Sequence, residues 1–140
     1  EKPEWLTSED DHWTGRKDWR IYKKYYTGVA LYNLGRYAEA ETLLLDAVET
    51  ARSNFGAGHP RTAMIKIYYL IAHLSSTKKY FLDDLKTREL MLAVDALSSA
   101  LPAESQQVAV AASLLNAVRS LDESKVKNAI FMLSHGDVFL

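Results

Sequence analysis

Four histidines, His12, His59, His73 and His135, and the adjacent acids Asp83-Asp84 are the side chains of this 140-residue chain best suited to holding a metal or moving a proton. A zinc site needs nitrogen or carboxylate ligands converging from one helix face or a short fixed spacing. None of the histidines has a second histidine or an acid so placed on a helix. His12 follows Asp10 and Asp11 in a polar stretch, and His59 precedes Pro60 as part of a linker. Asp83-Asp84 reads as the start of a helix, where the peptide dipoles favour negative charge, rather than as a catalytic pair. Cysteine is absent, which removes thiolate sites and disulfides. There is no glycine-rich phosphate loop and no nucleophile elbow. The expectation is a chain without cofactor, metal or catalytic residue.

Composition narrows the class further. The hydrophobic fraction is 48%, the charged fraction 25% and the formal net charge −1, so no global field favours nucleic acid. No apolar run approaches the roughly 20 residues that span a bilayer. One local charge signal stands out: Arg16, Lys17, Arg20, Lys23 and Lys24, directly after an acidic stretch. It reads as a solvated face, or as a patch for peripheral membrane contact or an acidic partner. The chain starts at Glu1 rather than Met, as a processed organelle protein would. On this basis an intracellular location is expected, mitochondrial ahead of cytoplasmic.

The elements that would position any site are helices. Residues 1–15 form an acidic arm carrying Trp5, Leu6 and Trp13, which either cap the first helix or anchor on a partner. Helical spacing predicts six segments, at about 17–34, 37–55, 61–75, 79–101, 104–121 and 123–134. The first carries Trp19, Tyr22, Tyr26, Val29, Ala30 and Leu34 near helical spacing. The second has the cleanest stripe: Tyr37, Ala40, Leu44, Ala47 and Ala51. Residues 135–140 are an apolar tail that includes Phe139. No segment alternates with period two, so a sheet is not expected. Short connectors make neighbouring helices antiparallel.

The stretch Leu34-Gly35-Arg36-Tyr37, with Gly28 before it and Ala40 and Ala47 after it, resembles the tetratricopeptide repeat family. The connector Phe55-Gly56-Ala57-Gly58-His59-Pro60-Arg61-Thr62-Ala63 is similar to the kinesin-light-chain variety. The resemblance implies an all-α fold of antiparallel helix pairs stacked as a short right-handed solenoid over residues 16–134. Gly28, Gly35, Tyr37, Ala40 and Ala47 would be its packing positions. Aligning Tyr37 with Tyr80 gives a period of 43 residues, which puts Asp83 and Leu90 at the alanine positions of the second pair and makes Ala129 the counterpart of Ala40.

The resemblance also implies a binding surface on the inner face, lined by Tyr22, Tyr25, Val29, Tyr32, Asn33, Ile65, Tyr68, Ala72 and Ser75. The tyrosines would otherwise fill the helix-pair core. The functional expectation is a non-catalytic protein-interaction scaffold, built as a small accessory subunit of a larger assembly, mitochondrial in the favoured case. Trp5, Trp13 and Phe139 would be further partner contacts. The alternative is a free adaptor holding a short linear peptide in the groove.

Overall fold

The computed structural model describes the backbone of residues 15–102 and 104–135, and the side chains of 19–102 and 104–133. Trp5, Trp13 and Phe139 therefore lie outside the described residues, as do the arm and the tail expected at the two ends. Six helices follow one another: α1 (Gly15–Asn33), α2 (Tyr37–Phe55), α3 (Pro60–Thr77), α4 (Asp84–Ala100), α5 (Gln106–Arg119) and α6 (Glu123–His135). There is no strand among the described residues. Each helix packs on the next, so the fold is an all-α stack of antiparallel pairs.

Local chemistry sets the boundaries. α1 ends where Gly35 takes φ +83°; the Gly35 N–H donates to Tyr32 O and the Arg36 N–H to Leu31 O, a Schellman closure. His59 opens α3: its Nδ1 accepts the Arg61 N–H at 3.0 Å, and Pro60 supplies the first helical residue, whose missing N–H costs nothing there. Asp83 opens α4 by accepting the Lys86 N–H at 2.8 Å, so Asp83-Asp84 is a helix start. The α4 helix expected from residue 79 thus begins at Asp84. Lys78 and Tyr80 sit at positive φ, and residues 78–83 form a connector instead.

α1 and α2 approach closely. An added Cβ at Gly28 would lie 2.6 Å from Leu44 Cγ. Ala40, Leu44, Ala47, Val48 and Ala51 are all buried on the facing side of α2. Tyr37 packs its ring 5.0 Å from Tyr32 at the turn. Lys24 closes the pair from the side, reaching Asp46 at 3.1 Å and the Thr50 hydroxyl at 3.2 Å.

α1 buries a different face from the one its apolar spacing suggests. Trp19 and Tyr26 are exposed, while Ile21, Tyr25, Gly28 and Tyr32 point inward. The helix carries large apolar groups on two faces. The one that packs is the one containing Gly28, where the missing side chain leaves room for Leu44.

The repeat is more regular than a single period allows. First helices are offset by 43 residues: Tyr32 Oη and Ser75 Oγ share a hydrogen bond of 3.1 Å across that separation, and Tyr25 meets Tyr68 edge-on at 5.7 Å. Second helices are offset by three residues more, because 34–36 is a three-residue turn whereas 78–83 has six. The buried quartet Leu44, Ala47, Val48, Ala51 then matches Leu90, Ala93, Val94, Leu97 in α4, 46 residues on, and the same spacing recurs in Val126, Ala129, Ile130, Leu133 of α6 after a shorter offset of 36. Ala93 fills the small-residue position, not Leu90, and Ala129 answers to Ala47, not Ala40.

α3 is the hub. It buries residues around most of its circumference, from Thr62 and Ala63 to Leu74 and Ser75. α2 and α4 flank it, and α6 returns to it, with the Tyr68 hydroxyl donating to Leu133 O at 2.9 Å. His73 Nδ1 and Glu41 Oε2, 2.8 Å apart, tie α3 to α2. Thr62 Oγ1 is the one buried side-chain polar atom among the described residues that lacks a hydrogen-bond partner.

Candidate interaction surfaces

The inner-face tyrosines are structural neighbours of one another. Tyr25, Tyr32 and Tyr68 are buried, as are Ile65, Ala72 and Ser75. Burial pushes the Tyr25 hydroxyl far above the ordinary phenol range, helped by the nearby Tyr68. Burial likewise raises Tyr68 to about 12, with Tyr32 adding to it. Such groups stay neutral, and Tyr68 serves as a fixed donor within the core. Because α6 also crosses Tyr68, this face is packed protein rather than an open channel. Of the residues expected there, Asn33 is exposed and Tyr22 and Val29 are half-buried.

The outer face of α1 is where large groups remain accessible. Trp19, Tyr22 and Tyr26 recur at steps of three and four, which lines them along one side of the helix. Trp19 is 39% and Tyr26 50% exposed. The rings of Tyr22 and Tyr26 stack at 6.0 Å with 22° between their planes. Cations cover the row: Lys23 Nζ lies 5.1 Å from the centre of the Trp19 ring, and the Arg61 guanidinium lies 5.5 Å from Tyr22 and 5.7 Å from Phe55. Phe55 in turn stacks on the capping His59 at 4.8 Å. The linker His-Pro-Arg sequence therefore orients Arg61 over the ridge.

This ridge was legible only in part. Tyr22 is among the residues expected to meet a partner, whereas Trp19 and Tyr26 are expected in the packed stripe. The signal that separates them is the second apolar face containing Gly28. The basic cluster is partly committed as well. Lys24 is bound to α2 and Lys23 lies over Trp19, while Arg20 is exposed; the side chains of Arg16 and Lys17 lie outside the described residues.

A second surface is the groove between α5 and α6, about 470 Å³, lined by Ser113, Asn116, Ser120, Lys125, Asn128 and Met132 over a floor of Ala117 and Ala129. It is open, and its lining mixes polar side chains with an apolar floor. No group of three or more His, Asp or Glu able to hold a metal occurs among the described residues. No helix among them is long and apolar enough to cross a membrane.

Stacked antiparallel helix pairs that share one buried quartet, with rigid aromatics presented at the side, define a helical-repeat protein of the interaction class. The family model for the tetratricopeptide repeat matches residues 28–61, from Gly28 in α1 through α2 to Arg61 at the start of α3, so the chain contains a repeat of that type. Comparison with curated proteins found no match. Comparison with solved structures found none either.

Proposed function

We propose that this chain is a non-catalytic scaffold that binds other proteins as a small accessory subunit of a larger assembly, with the α1 ridge of Trp19, Tyr22 and Tyr26 as a principal contact. The observation that carries this reading is the pairing of a packed inner face with an exposed aromatic outer face. Trp, Tyr and Arg dominate the energetics of protein interfaces because they combine large area with few rotatable bonds and a polar tip. Here all three types meet in one row, held by stacking and by Arg61. A subunit built into a complex needs outer surfaces of this sort and has no use for an open groove.

The kinesin-light-chain character of the connector belongs to the same reading. Its histidine caps α3, its proline starts the helix and its arginine covers the ridge. A mitochondrial location is part of the same proposal. A free adaptor for linear peptides is the competing account, and it would draw on Tyr22, Val29 and Asn33.

Native mass measurement on material isolated from its source, with and without Trp19→Ala and Tyr26→Ala, tests the proposal. The expected result is a stable heteromeric species that the paired substitutions dissociate. A partner-free monomer as the main species refutes it. Binding on a peptide array that survives both substitutions supports the adaptor instead.

A further inference from the structure

The three turns that join first to second helices, 34–36, 78–83 and 120–122, lie along one edge of the molecule. Antiparallel packing places them at the same end of their pairs, and direct contacts tie them together. The Tyr32–Ser75 hydrogen bond sets the end of α1 beside the end of α3. Lys127 Nζ, one turn into α6, lies 5.0 Å from the centre of the Tyr80 ring in the second connector. Each turn carries one large apolar side chain that packing does not use: Leu34 is 71% exposed, Phe81 52% and Leu121 68%. Leu85, in the first turn of α4, is exposed beside Phe81.

Folding does not account for Leu121. The Leu121 N–H donates to Val118 O and the Asp122 N–H to Ala117 O, the same closure that ends α1. In that motif Leu121 stands where Gly35 stands, at φ +58° against +83°. The left-handed conformation crowds any Cβ, so glycine or asparagine serves there best. An exposed leucine in that position strains the backbone and contributes nothing to the core.

The charges along the edge are arranged to leave cations free. Lys78, Lys79, Arg119 and Lys125 are exposed and form no ion pair among the described residues. Four of the five acids beside them have a local partner, and each keeps its charge. Asp83 and Asp122 accept backbone N–H groups at the starts of α4 and α6, Glu39 is paired with Arg36 at 2.6 Å, and Glu123 with Lys127 at 3.0 Å. Asp84 is exposed and forms no ion pair among the described residues. The alternating helix ends along this edge present opposite partial charges that offset one another, and the basic groups Arg36, Lys78, Lys79, Arg119, Lys125 and Lys127 outnumber the acids by one, so its local sign is weakly positive.

We infer that this edge seats on the surface of a lipid bilayer that contains anionic headgroups. Leu34, Phe81 and Leu121 enter the interfacial layer, and Lys78, Lys79, Arg119 and Lys125 meet headgroup phosphates. A row of separate apolar knobs with cations between them is complementary to a fluid surface of uniform chemistry, because each knob can be buried without a matching pocket. A protein partner would need a dedicated pocket for each one. Attachment of this kind is peripheral and leaves the α1 ridge accessible.

Co-sedimentation of the whole chain with vesicles tests the inference. Phosphatidylcholine vesicles are compared with vesicles of phosphatidylcholine and phosphatidylserine, at low and high salt. Leu121→Gly is the most informative variant, since it relieves the backbone while removing a knob. The expected result is binding to the anionic vesicles that salt weakens, with Leu121→Gly and Phe81→Ser each lowering the partition coefficient about tenfold and Lys78→Glu/Lys79→Glu lowering it further. Three results overturn it: no sedimentation with either vesicle; unchanged binding by Leu121→Gly and Phe81→Ser; or binding abolished by Arg20→Glu with the edge variants unaffected. If vesicles fail to bind while Leu34, Phe81 and Leu121 prove necessary for holding another protein, the edge is a protein interface and the bilayer assignment is wrong.

Discussion

Replacing Gly28 with alanine tests the central packing claim, because two physical effects pull in opposite directions there. On helix propensity alone, alanine in mid-helix is favoured by about 1 kcal/mol. Against this, the new methyl would sit 2.6 Å from Leu44 Cγ and 2.7 Å from Leu44 Cδ2. Carbon atoms pack best at about 3.5–4.0 Å, so Leu44 must withdraw by roughly 1 Å. Rotation about its last bond cannot supply this, since the branch carbon itself is in the way. Leu44 is fully buried among the α2 residues facing α1, so the helices must separate. Overpacking of this kind costs about 1–3 kcal/mol. The net expectation is a loss of up to about 2 kcal/mol, read as a lower urea midpoint with an unchanged slope. A second background makes the test sharper. Leu44→Ala alone should cost about 2–5 kcal/mol by leaving a cavity. With that space open, Gly28→Ala should turn stabilising, by about 1 kcal/mol. A gain in stability from Gly28→Ala in the parent protein, or a loss that persists in the Leu44→Ala background, would refute the close approach.

Further outcomes follow from individual groups. Thr62→Val removes a buried hydroxyl that has no partner and should raise stability by about 1 kcal/mol in urea titration. Asp83→Ala removes the side-chain cap of α4 and should lower stability by about 1 kcal/mol, most of it restored by Asp83→Asn. Tyr25 and Tyr68 have hydroxyls raised above their unfolded value, so the folded state holds protons that the unfolded chain releases. Their contribution is therefore intact below about pH 10 and is lost as pH climbs past it, at up to about 1.4 kcal/mol per pH unit for each ring. Urea midpoints measured from pH 8 to 11 should fall at the alkaline end, and Tyr25→Phe should flatten the fall.

The helices were readable because four of the five junctions between them rest on local devices. Gly35, His59-Pro60, Asp83 and Asp122 act on the backbone next to them, which a linear reading can see. The face that α1 buries was harder to read. Trp19, Tyr22 and Tyr26 are as apolar as Ile21, Tyr25 and Tyr32, and only the absent side chain of Gly28 distinguishes the two rows. The period was misread for a related reason. A turn lengthened by three residues shifts the second helix of a pair without shifting the first, so one offset cannot align both. The contact of α6 with α3 had no signal in the sequence. It joins residues 65 apart, and no local residue type marks such a pairing.

That returning contact changes how the molecule comes apart. In a repeat array each unit touches only its neighbours, and where those contacts run through adjacent helices alone the terminal hairpin can fray by itself. The bond from Tyr68 to Leu133 O spans 65 residues and fastens the final helix to the middle of the chain. Opening the terminal hairpin must therefore disturb the hub at the same time. Amide protons of α3 and α6 should exchange with one shared opening free energy instead of a gradient that falls toward the end.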